Sequence, residues 1–136
     1  KEKSKDNPVF YVQYAFARIC SLHRSLNINL NSEIILNEEN FELNDNEEKI
    51  VRKIFEWPKI IESASKKFEI HKIPFYLYEL STLFHSYWSK GNENKKYKFI
   101  ENDKIKRLEI LAIFNLVTIV IRNGMKILGV SLPEKM

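Results

Sequence analysis

The chain has 136 residues, a length typical of one domain, and 44% of them are apolar, enough for a single packed core. Only three glycines and four prolines are present, which favours long helices over many short strands. The net charge of +4 is modest for a nucleic-acid binder, and a single cysteine excludes an intrachain disulfide, so we expect a reducing, cytoplasmic setting.

The first predicted element is a helix from Pro8 to about Asn27. Asn7 can cap this helix, and proline suits its first position. Apolar residues at helical spacing predict the side that faces the core. This core stripe consists of Val12, Ala15, Ile19, Leu22 and Leu26.

An adjoining face of the same helix carries two aromatic rings and a cation. Tyr11, Tyr14 and Arg18 stand three and four residues apart, so they lie on one side of the helix. The small residues Ala17 and Cys20 lie on the far side, where they can let a second element approach closely. We interpret Cys20 as a small core residue rather than a nucleophile.

The middle of the chain predicts a connection followed by two shorter helices. Residues 29–44 are polar and rich in asparagine, and we interpret them as a connection with room for one helical turn. Asp45 and Glu48 have the spacing of a capping box and predict the start of a second helix. Pro58 either ends this helix or starts the next one. The predicted apolar faces are Ile50, Val51, Ile54 and Phe55 in the second helix, and Ile60, Ile61, Ala64 and Phe68 in the third.

Pro74 predicts the start of a fourth helix, and a basic loop from Lys90 to Lys98 follows it. Trp88 lies at the edge of this helix's apolar stripe. The stripe consists of Tyr76, Leu80, Leu83, Phe84 and Tyr87.

The last predicted helix is the longest and the most apolar. We expect Asn102 or Asp103 to cap it and Gly129 to end it after Leu128. Its apolar run at residues 110–121 is shorter than the ~20 residues that a bilayer requires, so we interpret it as a buried central helix and expect no membrane partner. No segment alternates as a strand does, and the elements together predict an all-α bundle of about five helices.

Charge is distributed unevenly along the chain. Residues 31–62 contain nine acids and four bases, whereas residues 90–107 contain seven bases and three acids. The later segment can therefore meet phosphate, while the earlier one repels it. The alternative interpretation is that both segments are ordinary solvated surfaces.

The sequence lacks the patterns of common catalytic sites. Its glycines are scattered, so no glycine-rich phosphate cradle is predicted. His23, His71 and His85 have no partner histidine or cysteine at metal-ligand spacing, and we interpret them as ordinary packed or surface residues. We expect neither a catalytic residue nor a metal site.

Four segments carry a recognisable pattern: NPVFYVQYAFARICS (7–21), FEWPKIIESA (55–64), PFYLYELSTLFHSYW (74–88) and NGMKILGVSLPEKM (123–136). Taken in order, they resemble the C-terminal anticodon-binding domain, called the DALR domain, of arginyl-tRNA synthetases. Two positions depart from that family's pattern: Phe16 stands where the family has a histidine, and Lys135 where it has an arginine. The polar role of that histidine is therefore not carried over.

The resemblance implies that residues 1–136 form an anticodon-binding domain with the helical bundle of a class I synthetase. It implies a C-terminal fragment without the catalytic domain, inactive alone, as part of an arginine–tRNA ligase that uses ATP and Mg²⁺. The fragment itself would bind no cofactor. Its expected partners are the anticodon loop of tRNA(Arg) and the missing catalytic domain in cis, and we expect a monomer.

The resemblance also implies a set of RNA-contacting residues. Tyr11 and Tyr14 would stack on splayed bases, and Arg18 would contact a phosphate or a base edge, or stack. By the family pattern, Trp88 and Met136 would also face the anticodon loop. Alternatively, both tyrosines fill the edge of the core and Arg18 pairs with an acid. The competing function is a helical module that docks on a protein, which the acidic segment and the face with Ala17 would suit.

Overall fold

The structure, a computed structural model, describes residues 7–30, 33–36 and 41–136. Within these ranges the chain is mostly helical, as the sequence predicted. The α-helices are α1 (Pro8–Ser25), α2 (Asp45–Phe55), α3 (Trp57–Lys66), α4 (Lys72–Glu93) and α5 (Leu108–Leu128). A 3₁₀ turn (Lys95–Tyr97) and a two-stranded antiparallel hairpin of β1 (Ile100–Glu101) and β2 (Lys104–Ile105) lie between α4 and α5.

Helix α4 occupies the centre of the bundle and contacts α1, α2, α3 and α5. Its buried residues recur every three or four positions, so one continuous side of the helix faces the core. That side consists of Tyr76, Leu77, Leu80, Phe84 and Tyr87, with Leu83 partly buried beside it.

Helix α5 is the predicted buried helix. By length and composition it could cross a membrane, but 56% of its most apolar window is buried inside the bundle. Asn115, which interrupts the apolar run, lies against the buried His23, with 2.9 Å between Oδ1 and the ring Nε2. Thr118 is also satisfied, because its hydroxyl donates to the carbonyl oxygen of Asn115 at 2.7 Å. Gly129 ends the helix with φ 68°, the left-handed conformation that the sequence predicted.

The predicted start of α1 is confirmed, and its end comes two residues early. The Asn7 side chain accepts hydrogen bonds from the backbone N–H groups of Val9 and Phe10. The helix ends at Ser25, and Asn27 adopts a positive φ of 54°, which breaks the helical path. Cys20 is buried, in agreement with its interpretation as a core residue.

The capping box of α2 lies one residue earlier than predicted. Asn44 has an extended backbone, so it is the cap, and its side chain accepts from the N–H of Glu47. The Glu47 carboxylate in turn accepts from the backbone N–H of Asn44 at 3.1 Å. Asp45 is already helical, so the predicted pair of Asp45 and Glu48 is wrong.

Two predicted core aromatics are exposed instead. Phe55, at the end of α2, is 75% exposed, and Phe68 is 91% exposed with a φ of 54°. Phe68 lies beyond the end of α3, so the helical spacing that suggested a buried position no longer applies to it. Pro58 lies in the first turn of α3 and therefore starts that helix. The described parts of the preceding connection are not helical, and residues 31–32 and 37–40 lie outside the described residues.

The segment between α4 and α5 differs most from the prediction. Residues 90–93 still belong to α4, residues 95–97 form the 3₁₀ turn, and the hairpin lies where the last helix was expected to start. Asn102 and Asp103 do not cap α5. They form the hairpin turn with φ values of 51° and 59°, which suit the tight turns of twisted hairpins and which Asn and Asp tolerate. Helix α5 starts after Arg107, which makes no side-chain cap.

A buried carboxylate links three parts of the bundle. Glu47 of α2 is 1% exposed, and its carboxylate accepts from the Tyr87 hydroxyl of α4 at 3.0 Å. Arg107, at the start of α5, donates to the same carboxylate and forms an ion pair with it. Burial, and next the charge of Glu47, raises the pKa of Tyr87 far above its usual value, so the hydroxyl stays a donor.

We therefore expect Glu47→Ala to lower the free energy of unfolding by about 1–3 kcal/mol, because it leaves the buried Tyr87 hydroxyl without its acceptor and the partly exposed Arg107 without its ion-pair partner. The matched control is Glu48→Ala, one residue away. Glu48 forms only an exposed pair with Arg52, worth about 0–1 kcal/mol. Urea denaturation of both variants measures the difference, and equal losses would contradict a structural role for the buried carboxylate.

Candidate nucleic-acid interface

An open cleft of about 520 Å³ lies where α1, α4, the hairpin and the C-terminal tail meet. Its walls include four of the five residues that the sequence singled out: Tyr14 and Arg18 of α1, Trp88 of α4 and Met136 of the tail. The four residues lie far apart in the sequence. Only the packing of the helices and the path of the tail bring them together.

Arg18 is held between two aromatic rings. Its guanidinium carbon lies 4.6 Å from the centroid of the Tyr14 ring and 5.1 Å from that of the Trp88 ring. One guanidinium nitrogen, Nη2, donates to the Tyr14 hydroxyl at 3.0 Å, and Nη1 lies 3.2 Å from Nδ1 of His85. In the part of the chain that the structure describes, Arg18 forms no ion pair with a carboxylate, so the alternative interpretation of this residue receives no support.

The Trp88 ring forms a firm wall of the cleft because the core supports it from behind. Its ring centroid lies 5.7 Å from that of Phe84, 5.2 Å from that of Phe99 and 6.1 Å from that of Phe114. The indole is nonetheless only partly buried. An aromatic face fixed in this way can stack on a planar ligand without a large loss of side-chain entropy.

Tyr11 lies outside this cleft. Its ring centroid is 4.3 Å from that of His85 and 5.4 Å from that of Tyr78. Burial, and next the neighbouring Tyr78, raises the pKa of Tyr11. The structure thus places Tyr11 against α4 beside the cleft, and a contact of Tyr11 with RNA stays a prediction.

The C-terminal tail is held against α1 by hydrogen bonds to its backbone. The Gln13 side chain donates to the carbonyl oxygen of Ser131 at 2.8 Å. Both terminal nitrogens of Arg24 donate to the carbonyl oxygen of Glu134 at 3.2 Å. These contacts bring Met136, which is half exposed, to the mouth of the cleft.

Small residues let the tail lie close to the helix. Gln13, Ala17, Cys20 and Arg24 recur every three or four positions, so they share one face of α1, and Ala17 and Cys20 are buried there. Burial, and next the charge of Glu134, raises the pKa of the Cys20 thiol, which therefore stays protonated. The prediction that these small residues admit a second element is confirmed, and the tail is that element.

A second groove, of about 870 Å³, adjoins the first. It shares Tyr14, Lys135 and Met136 with the cleft and adds the exposed side of Phe10. The Phe10 and Tyr14 rings lie parallel within 4°, with centroids 6.2 Å apart. Tyr14 and the end of the tail thus stand between two concave surfaces.

The basic segment lies next to the cleft. Ile100, the first residue of the hairpin, forms part of the cleft wall. Just before it, Lys95, Lys96 and Lys98 are exposed, and Lys104 is exposed on the second strand. These cations place positive charge beside the aromatic walls, as an interface for a phosphate backbone requires.

Sequence reasoning missed three residues that shape this site: Gln13 and Arg24, which hold the tail, and His85, which contacts Arg18. The positions of Gln13 and Arg24, on the same face as the small Ala17, were a usable signal for a docked segment. Nothing in the sequence indicated the partner of His85, which is 67 positions away. Residues 7–30, 33–36 and 41–136 contain no group of three His, Cys, Asp or Glu side chains that could hold a metal ion.

The chain is similar to known proteins over nearly its whole length. The chain is 47% identical over 136 residues to the arginine–tRNA ligase of Pelagibacter ubique, and 39% identical over 142 residues to that of Rhizobium meliloti. These alignments cover 100% and 99% of the chain but 24% of each ligase. The chain thus spans about a quarter of the length of these curated relatives.

A solved structure, described as a putative arginyl-tRNA synthetase from Campylobacter jejuni, has the same fold over 99% of the chain and 28% of its own length. The TM-score is 0.81 and the sequence identity is 24%. The family model of the DALR anticodon binding domain matches residues 12–136. Because that match covers nearly the whole sequence, the chain belongs to the DALR anticodon-binding domain family found in arginine–tRNA ligases.

Proposed function

We propose that this chain is the anticodon-binding part of a cytoplasmic, monomeric arginine–tRNA ligase and that it holds the anticodon loop of tRNA(Arg). The observation that carries the proposal is the convergence of Tyr14, Arg18, Trp88 and Met136 in one cleft. The proposed partner in cis is the catalytic part of the same ligase, which lies in the three quarters of the relatives' length that this chain does not match.

An anticodon loop is a chemical match for this cleft. Proteins read RNA sequence mainly in single-stranded loops, where bases leave the stack and meet aromatic rings or the plane of an arginine. Tyr14 and Trp88 supply the rings, and Arg18 supplies a planar cation between them. Met136 adds a flexible apolar side chain that can adapt to a base. The exposed lysines of residues 95–98 would meet the phosphates.

The arginylation reaction itself would take place outside this chain. The proposed ligase uses ATP and Mg²⁺, but the described residues offer no fit for either. The three glycines stand singly at 91, 124 and 129, so they form no phosphate-binding loop, and no carboxylate cluster is placed to hold a metal. The role of this chain is to bind and orient the tRNA.

Replacement of Tyr14 tests the stacking wall. We expect Tyr14→Ala to weaken binding of an arginine-tRNA anticodon stem-loop to this chain by about 1–3 kcal/mol, because one base loses its stacking partner. The matched control is Phe75→Ala, which removes an exposed ring of α4 that does not line the cleft. Fluorescence titration of both variants measures the effect, and equal affinities for Tyr14→Ala and the wild-type chain would remove Tyr14 from the site.

The tail gives a second test. Deletion of Lys135 and Met136 should weaken stem-loop binding and, in a full-length ligase, slow tRNA charging, because the cleft loses a cation and an apolar wall. The melting temperature should hardly change, since both residues are exposed and the hydrogen bonds of Gln13 and Arg24 to the tail backbone remain. Unaltered charging would show that the tail is dispensable, and a large fall in melting temperature would make its role structural.

The alternative function, a helical module that docks on another protein, rests on exposed apolar side chains at Phe55, Phe68 and Phe75. The face of α1 with Ala17, which the sequence indicated for docking, is covered by the chain's own tail. This contact weakens the alternative function.

Salt separates the two functions. RNA binding should weaken steeply as salt rises, with a slope of roughly −0.7 in log K against log salt for each neutralised phosphate. Apolar docking should be nearly independent of salt. A stem-loop affinity that does not change between low and high salt would contradict the proposed RNA interface.

A further inference from the structure

His85 lies directly behind the cleft cation and uses both of its ring nitrogens. The residue is 6% exposed, on the buried side of α4. Its Nε2 lies 3.1 Å from the backbone carbonyl oxygen of Tyr11, and its Nδ1 lies 3.2 Å from Nη1 of Arg18. The ring also packs on the rings of Tyr11 and Tyr14, with centroids 4.3 and 5.4 Å away.

The chemistry of these two neighbours fixes the state of the imidazole. A carbonyl oxygen only accepts, so Nε2 must carry the proton and donate to Tyr11. A guanidinium only donates, so Nδ1 must offer its lone pair to Arg18. A single form satisfies both bonds, the neutral ring with its proton on Nε2. The protonated ring would turn a second N–H donor towards the guanidinium.

Without this acceptor, the described contacts of Arg18 would be limited to Tyr14 and Trp88. The remaining partners are the faces of Tyr14 and Trp88 and the Tyr14 hydroxyl. The two faces are the same surfaces that a base would use, so a bound base competes for them. The His85 nitrogen lies on the buried side, where RNA does not reach. Among the described residues, it is therefore the contact on α4, beside the Tyr14 hydroxyl on α1, that can hold Arg18 while both rings receive bases.

We propose that His85, in its neutral form with the proton on Nε2, is a positioning residue that orients the Arg18 guanidinium for RNA. This inference rests on the proposed function and deepens it, because it assigns a role to a residue that need not touch the RNA.

Two substitutions separate this role from simple packing. The amide of His85→Asn reaches the place of Nδ1 and can still accept from Arg18, whereas the amide of His85→Gln reaches the place of Nε2 and can still donate to Tyr11. Both lose the ring contacts to the same extent. We expect stem-loop binding by this chain to weaken roughly tenfold for His85→Gln, the cost of a lost hydrogen bond to a charged group, and only by about threefold for His85→Asn. Ser86→Ala, an exposed neighbour, is the control.

A double-mutant cycle with Arg18→Ala provides the deciding measurement. If His85 acts through Arg18, His85→Gln costs nothing further in the Arg18→Ala background. A cost that persists there, or equal losses for the asparagine and glutamine variants, would overturn the inference and leave the proposed function intact. Equal binding by the wild-type chain and Arg18→Ala would instead overturn the role of Arg18 in RNA binding, and the inference with it.

The wild-type chain offers an independent check that needs no variant. Long-range ¹H–¹⁵N correlation spectra distinguish a protonated from an unprotonated imidazole nitrogen. At neutral pH we expect His85 to show its proton on Nε2 and a lone pair on Nδ1. A proton on Nδ1 would overturn the inference, because that nitrogen could then not accept from Arg18.

Discussion

The packing of α1 against α4 is the contact on which the candidate site depends. One face of α1 buries Ala15 and Ile19 in the core, and this burial fixes the rotation of the helix. The rotation in turn places Tyr14 and Arg18 at the boundary of the core, opposite Trp88. A hydrophobic contact, which has little directional preference by itself, thus sets the geometry of a polar and aromatic cleft.

Three sets of contacts, from the core outwards, hold the walls of the cleft in place. The deepest layer is the cluster of aromatic rings beneath Trp88, which includes Phe84, Phe99 and Phe114. Above it lies the bonded pair of His85 and Arg18. The outer layer is the tail, whose backbone accepts hydrogen bonds from side chains of α1. Because these contacts exist before any ligand binds, a ligand that enters the cleft orders fewer side chains.

The phenylalanine at position 16 departs from the family pattern at a position that lies outside the cleft. Phe16 is buried at the flank of the core stripe, and the guanidinium carbon of Arg122 lies 5.3 Å from its ring centroid. Its packing in the core, which the sequence had indicated, accounts for its identity. It does not line the cleft that holds Tyr14 and Arg18.

The order of the helices, the cap at Asn7, the end at Gly129 and most of the core stripes followed from the sequence, because they depend on local spacing and backbone preference. The hairpin at residues 100–105 did not, since each strand has only two residues, too few to show alternation. Asn102 and Asp103 form its turn, and these residue types are favoured at helix N-caps as well as in turns.

The candidate site likewise has one part that the sequence predicted and another that it did not. Tyr14 and Arg18 share a helix face, and periodicity alone predicts their proximity. The contact of Arg18 with Trp88 and His85 depends on how α1 packs against α4, because His85 is 67 positions away from Arg18 in the sequence. The position of Met136 depends on where the tail packs.

Tyr11 shows the limit of periodicity, because it shares the predicted face with Tyr14 but packs against Tyr78 beside the cleft. The sequence by itself determined which side of α1 carries the tyrosines and Arg18, because an α-helix has a fixed number of residues per turn. Only the tertiary structure decided which of those side chains face the cleft, because that depends on contacts between distant segments.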